Sequence, residues 1–161
     1  MNDYLNIFTE LHKQQVKYLL CGGLAVNIYG IPRMTADIDL ILEFSLDNVT
    51  RFEKVIKQFN YQSVLPFAIH SLVDLSFKKA MVGEKILIAY SYFNTQANRM
   101  AMDVLVDVPL MFEALWGNRT IRKLGEVEIQ MVSVEDLITL KTYSNRKQDQ
   151  EDVILLSKIL K

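Results

Sequence analysis

One cysteine, three prolines and six glycines are spread over 161 residues, and each scarcity excludes something. A lone Cys21 closes no disulfide within the chain, and no Cys/His cluster recurs at zinc-ligand spacing. A disulfide scaffold and a zinc module drop out, and a reducing compartment is expected. The opening residues Met1-Asn2-Asp3-Tyr4 lack the basic start and apolar run of a signal peptide. No apolar stretch approaches the ~20 residues of a membrane span. The expectation is a cytoplasmic protein without a membrane partner. An excess of one charge sign is missing too, since 18 Lys and Arg face 19 Asp and Glu. Gripping a long nucleic acid normally shows as strong basicity, so that class is not expected.

What is present suits one globular domain. Half the residues are hydrophobic, and a chain of this length buries ~70% of its unfolded surface, so a sizeable core is available. Tyr4, Leu5, Phe8 and Leu11 recur at helical spacing over residues 3–15. Val16 to Cys21 is an apolar run stopped by Gly22-Gly23, the pattern of a buried strand. Leu24 to Tyr29 reads as helix, Ile38 to Leu42 as strand, and Asp47 to Phe59 as an amphipathic helix closed by Asn60. Residues 66–83 are poorly patterned, with a helix expected around Ser71–Val82. Lys85–Phe93 and Met100–Val108 read as strands, and Pro109 fits the first turn of a short helix ending at Gly117. Thr120–Leu124 and Val127–Val132 flank Gly125-Glu126 as a hairpin. Ser133 with Asp136 has the form of a capping box for a helix through Tyr143, and a last helix starts near Asp149. The expected class is α/β or α+β with a mixed sheet flanked by helices. Residues 1–132 would form the core, with a helical segment, 133–161, packed on it.

The chemistry concentrates in Gly22-Gly23 and in Asp37-Ile38-Asp39-Leu40. On a strand, residues two apart share a face, so Asp37 and Asp39 project together with Cα atoms roughly 6.5–7 Å apart. Two such carboxylates repel each other unless a hard divalent cation joins them, and magnesium commonly combines one or two carboxylates with substrate phosphates. Glycines at a strand end let backbone amides approach an anion closely. An isolated D-x-D is more often a turn cap beside an exposed acid, and a lone Gly-Gly more often a tight turn. Their arrival together within twenty residues is what tips the balance.

The run Gly22-Gly23-Leu24-Ala25-Val26, then Gly30, Arg33, Thr35, Asp37, Ile38, Asp39 and Leu40, resembles the nucleotidyltransferase superfamily that includes DNA polymerase beta. Within it the string is most similar to the AbiEii-like bacterial branch, and Lys141, Arg146, Asp149 and Asp152 also suit the group. The resemblance implies a nucleotidyltransferase fold. It also implies transfer of a nucleoside monophosphate from ATP or another nucleoside triphosphate to an acceptor hydroxyl, with Mg2+ or Mn2+ as cofactor. Asp37 and Asp39 would hold the metals with a third carboxylate from a neighbouring strand.

Asp103 and Asp107 compete for that third place, roughly 13 Å apart on one strand face, and mid-strand Asp103 fits better. Gly22, Gly23, Arg33, Thr35 and Lys141 are the expected nucleotide-binding residues. Lys141 reads equally as a lysine snorkelling from the core edge, and Arg33 and Thr35 equally as loop-fixing residues. Asp149 and Asp152 read better as an N-cap and first-turn residue of the last helix. The setting implied is a toxin–antitoxin pair or antibiotic modification, with a partner protein or homodimer completing the acceptor site. The alternative is a non-catalytic, antitoxin-like binding module on the same fold.

Overall fold

The computed structural model describes residues 3–161. Two central strands carry the molecule: β1 (Tyr18–Cys21), buried throughout, and β2 (Asp37–Leu42), paired antiparallel to it. Flanking them are β3 (Tyr61–Ser63), β4 (Ala89–Asn94), β5 (Ala101–Leu105), β6 (Thr120–Leu124) and β7 (Val127–Met131). They form one seven-stranded mixed sheet in the order β3-β4-β5-β2-β1-β7-β6. The β2–β5 and β1–β7 pairs are parallel, and the other pairs are antiparallel.

Helices cover this sheet because their apolar faces have nowhere else to go. Helix α1 (Asp3–Lys13) buries Ile7, Phe8 and Leu11, and Phe8 stacks on Tyr18 of β1 at 5.4 Å between ring centroids. Helix α3 (Leu46–Gln58), which follows the short α2 (Gly22–Ile28), buries Val49, Phe52, Val55 and Ile56. Its N-cap Ser45 accepts the Asn48 N–H. Asn48 is itself fully buried and fully used: Oδ1 accepts from Lys17 N–H at 2.8 Å. Its amide nitrogen donates to the carbonyls of Lys17 and Glu43, both at 2.9 Å. One side chain thus ties the start of β1 to the end of β2. After α4 (Leu75–Gly83) and α5 (Phe112–Asn118), α6 (Val134–Ser144) and α7 (Lys147–Ile159) close the chain. Leu137, Leu140 and Leu156 join them to the same hydrophobic core.

Several boundaries move from the sequence reading. Asp74 caps α4 by accepting the Phe77 N–H at 2.8 Å, so the poorly patterned stretch splits into a 3-10 turn over Ile69–Val73 and a helix after it. Lys85 to Ile88 lie outside the strand expected there. The amides of Ile86 and Leu87 both donate to the Met81 carbonyl, which holds this segment against the end of α4. Pro109 precedes α5 instead of opening it, and the brief strand β3 carried too few residues to show a period. Asn118 donates to the Asp136 carboxylate at 3.3 Å, while Ser133 accepts the Asp136 N–H at 3.1 Å to cap α6. Among the described residues no helix is long and apolar enough to cross a membrane.

Candidate active site

The alternation along β2 decides what faces the cleft. Ile38, Leu40 and Leu42 turn into the core, leaving half-buried Asp37 and Asp39 on the other face. Parallel pairing with β5 sets Asp103 directly opposite Asp39, and Asp37 opposite Ala101. Asp107 lies beyond the end of β5, where its carboxylate accepts the Tyr143 hydroxyl at 2.8 Å.

The other edge of the cleft is Gly22-Gly23, the first two residues of α2, directly after β1. Gly22 has φ +66°, and a Cβ there would sit 1.8 Å from Asp39 Oδ2. A Cβ on Gly23 would lie 2.7 Å from Thr35 Oγ1 and 3.1 Å from Arg33 Cζ. Gly22 combines a left-handed backbone with contact on Asp39, which demands glycine, and a side chain at Gly23 would have to displace Thr35. Cys21, buried just before the glycines, donates its thiol to the Asp39 carbonyl at 3.4 Å.

Like charge and burial both act on the carboxylates. Burial first, then the charges of Asp103 and Asp37, push the Asp39 carboxyl up to about 6, against the opposing pull of Lys141 and Arg146. Burial and Asp103 also raise Asp37, again opposed by Arg146. Among the described residues no three His, Cys, Asp or Glu side chains close into a ready-made metal cage. The donor chemistry nonetheless fits magnesium. It is all oxygen, with two carboxylates on one strand and a third in register on the next, close enough to disfavour one another's charge.

Behind the cleft lies a buried ion network that sequence reasoning missed. Lys141 of α6 is buried, with its ammonium 3.1 Å from Asp149 Oδ1 and 2.9 Å from Asp152 Oδ2. Asp152 also pairs with Arg33, whose guanidinium rests by Gly23. Asp149 is the third residue of α7, not its cap. Its carboxylate accepts from the Arg146 backbone N–H at 3.1 Å, from Arg146 Nε at 2.9 Å and from the Ser144 hydroxyl at 2.8 Å. Burial works to raise the Asp149 pKa, but hydrogen bonds from Arg146, Ser144 and Lys141 outweigh it and hold the carboxyl well below its usual range. The one available signal was the 3-residue spacing of two acids on a helix whose other inward residue is Leu156. Arg33 and Lys141, expected at the nucleotide, are therefore each engaged by buried aspartates. Arg146 is different. Its side chain is 77% exposed, and its charge reaches both Asp37 and Asp39.

A separate cleft of about 390 Å³ opens between α1 and the β3–β4 edge, with Ile38 in its lining. Alternation along β2 places Ile38 on the face away from Asp37 and Asp39. Of its amide side chains, Asn60 and Asn98 sit at positive φ in turns, and Asn94 holds the Phe59 carbonyl at 2.8 Å.

The architecture has solved counterparts. A lincomycin-bound lincosamide antibiotic adenylyltransferase, LnuA, superposes with a TM-score of 0.63 at 15% identity, covering 98% of this chain and 96% of that one. ANT(2")-Ia, in complex with adenylyl-2"-tobramycin, gives 0.58 at 12% identity over 96% of this chain and 86% of the other. An antigenic nucleotidyltransferase-like protein from Paracoccidioides brasiliensis gives 0.57 at 19% identity, covering 96% and 73%. At such identities the likeness is one of fold. No curated protein matches the sequence. A family profile described as "nucleotidyltransferase of unknown function (DUF6036)" matches residues 5–160, and the chain belongs to that nucleotidyltransferase family.

Proposed function

We propose that this protein transfers a nucleoside monophosphate, from ATP with a divalent metal, to an acceptor hydroxyl. The observation that carries the reading is the register of Asp103 against Asp39, beside a Gly22-Gly23 pair packed onto the Asp39 carboxylate. Oxygen donors and a closely approached backbone stand at one place. Asp37, Asp39 and Asp103 would hold magnesium, with manganese as a substitute, and the amides of Gly22 and Gly23 would meet the phosphates. When bound, the metal neutralises triphosphate charge and lowers the pKa of the acceptor hydroxyl. The acceptor oxygen then attacks the α-phosphorus. The bond to the bridging β-phosphate oxygen breaks, pyrophosphate leaves, and we assign the hydroxyl proton to the Asp103 carboxylate. Thr35 and Arg33 pack beside Gly23, and Arg33 and Lys141 share the Asp152 carboxylate.

ATP is favoured because two of the structural counterparts are linked by name to adenylyl chemistry. The Gly22-Gly23 to Asp37-Ile38-Asp39-Leu40 pattern supports an AbiEii-like placement and a toxin–antitoxin setting, with the acceptor on a partner protein. The adenylyltransferase fold instead supports a small-molecule hydroxyl. Incubation with α-labelled ATP, magnesium and either cell lysate or an antibiotic panel separates these. Label on a protein band selects the first acceptor class, label on a small molecule selects the second, and no pyrophosphate release with any acceptor rejects the transferase reading.

A further inference from the structure

Triphosphate adds negative charge to a cleft already lined by three carboxylates, so a protein cation facing it would supplement the metal. Three cations border the cleft: Lys141 and Arg146, which act on Asp39, and Arg33 beside Gly23. Lys141 is 5% exposed and held between Asp149 and Asp152, and Arg33 is 20% exposed and held by Asp152. Both are held by buried carboxylates and little exposed, which leaves Arg146 the most accessible of the three. Arg146 stands at the N-cap of α7 with its guanidinium largely in solvent. Its Nε and one terminal nitrogen lie 2.9 and 3.4 Å from the Asp149 oxygens. Asp149 is in turn fixed by Lys141, by Ser144 and by the Arg146 backbone. A long, flexible side chain is thereby aimed before any ligand arrives, which reduces the ordering needed on binding.

We infer that Arg146 is the triphosphate-gripping residue of this site and that buried Asp149 is its positioning residue. The inference rests on the transferase reading above and adds the residue that meets the β- and γ-phosphates. The remaining guanidinium N–H groups form charge-assisted bonds to phosphate oxygens, a geometry that a lysine ammonium does not reproduce in full. Asp149 shares Lys141 with Asp152, and Asp152 holds Arg33 beside Gly23, so the ion network that orients Arg146 borders the glycine pair.

Calorimetric titration of the full chain with Mg2+-ATP and with AMP tests this. Arg146→Gln should weaken Mg2+-ATP binding about ten- to a hundredfold and AMP binding less than about threefold, since only the outer phosphates lose a partner. Arg146→Lys should recover part of the loss. Asp149→Asn should show the same selective loss for ATP, and the exposed Arg146 variants keep the test decisive should that buried change impair folding. Equal ATP affinity in parent and Arg146→Gln overturns the inference while leaving the transferase reading intact. Equal losses for ATP and AMP overturn it as well, by marking a general structural effect. A parent chain that binds no Mg2+-ATP overturns both.

Discussion

Asp39 is the residue on which fold and chemistry pull hardest against each other. An acid whose pKa rises on folding from its ordinary 3.8 to about 6 destabilises the fold wherever it is ionised in both states. The unfolded chain gives up this proton at lower pH than the folded chain, so the penalty is full above pH 6 and gone below about 4. Its size is on the order of 3 kcal/mol. Asp39→Asn should therefore melt higher than the parent at pH 7.5 without ligand, with the gap closing as pH falls toward 4. A gap that stays constant with pH contradicts this account of burial and like charge. Gly22 makes the complementary case. Ala there takes on about 1–2 kcal/mol of left-handed strain and drives a methyl into the Asp39 carboxylate. Gly22→Ala should lose stability and Mg2+-ATP binding together in parallel melting and titration experiments. Gly117→Ala, within α5 and with nothing within 4 Å of its new methyl, should leave Mg2+-ATP binding unchanged and stability no lower.

At the scale of elements, two buried polar side chains act as fasteners. Asn48 supplies one acceptor and two donors to backbone groups of Lys17 and Glu43. Asn48→Leu keeps the volume but orphans those groups, and should lower unfolding free energy by about 2–4 kcal/mol in urea. Asp152 fastens α7 to Arg33 and Lys141. Asp152→Ala leaves a buried ammonium with one partner and should cost about 3–5 kcal/mol by the same measurement. These fasteners explain what was legible and what was not. The D-I-D-L strand and its preceding glycines are adjacent in sequence and periodic, so β1, α2 and β2 could be read directly. The hairpin of β6 and β7 announced itself through Gly125 between two strand-like runs. Asp74 falls inside the helix expected around Ser71–Val82, because its capping role depends on where the helix begins. Asp149 and Asp152 looked like ordinary helix-start acids because their partners, Lys141 and Arg33, lie on other segments that only the tertiary fold brings near.

Across the whole molecule the same division holds. Composition and the alternation of elements were enough for a mixed sheet in an α/β class, and the seven strands take that form. The position of Asp103 needed one further fact, the parallel pairing of β5 with β2, which no local pattern encodes. The central claim is that Asp37, Asp39 and Asp103 work as one metal–nucleotide site at the middle of this sheet. Titration of Mg2+-ATP into the parent and into the Asp37→Asn/Asp39→Asn double variant tests it most directly, with melting curves showing that both are folded. Saturable, magnesium-dependent binding by the parent, abolished in a double variant that melts no lower, is the result this account predicts. A folded double variant that binds Mg2+-ATP as tightly as the parent would contradict it.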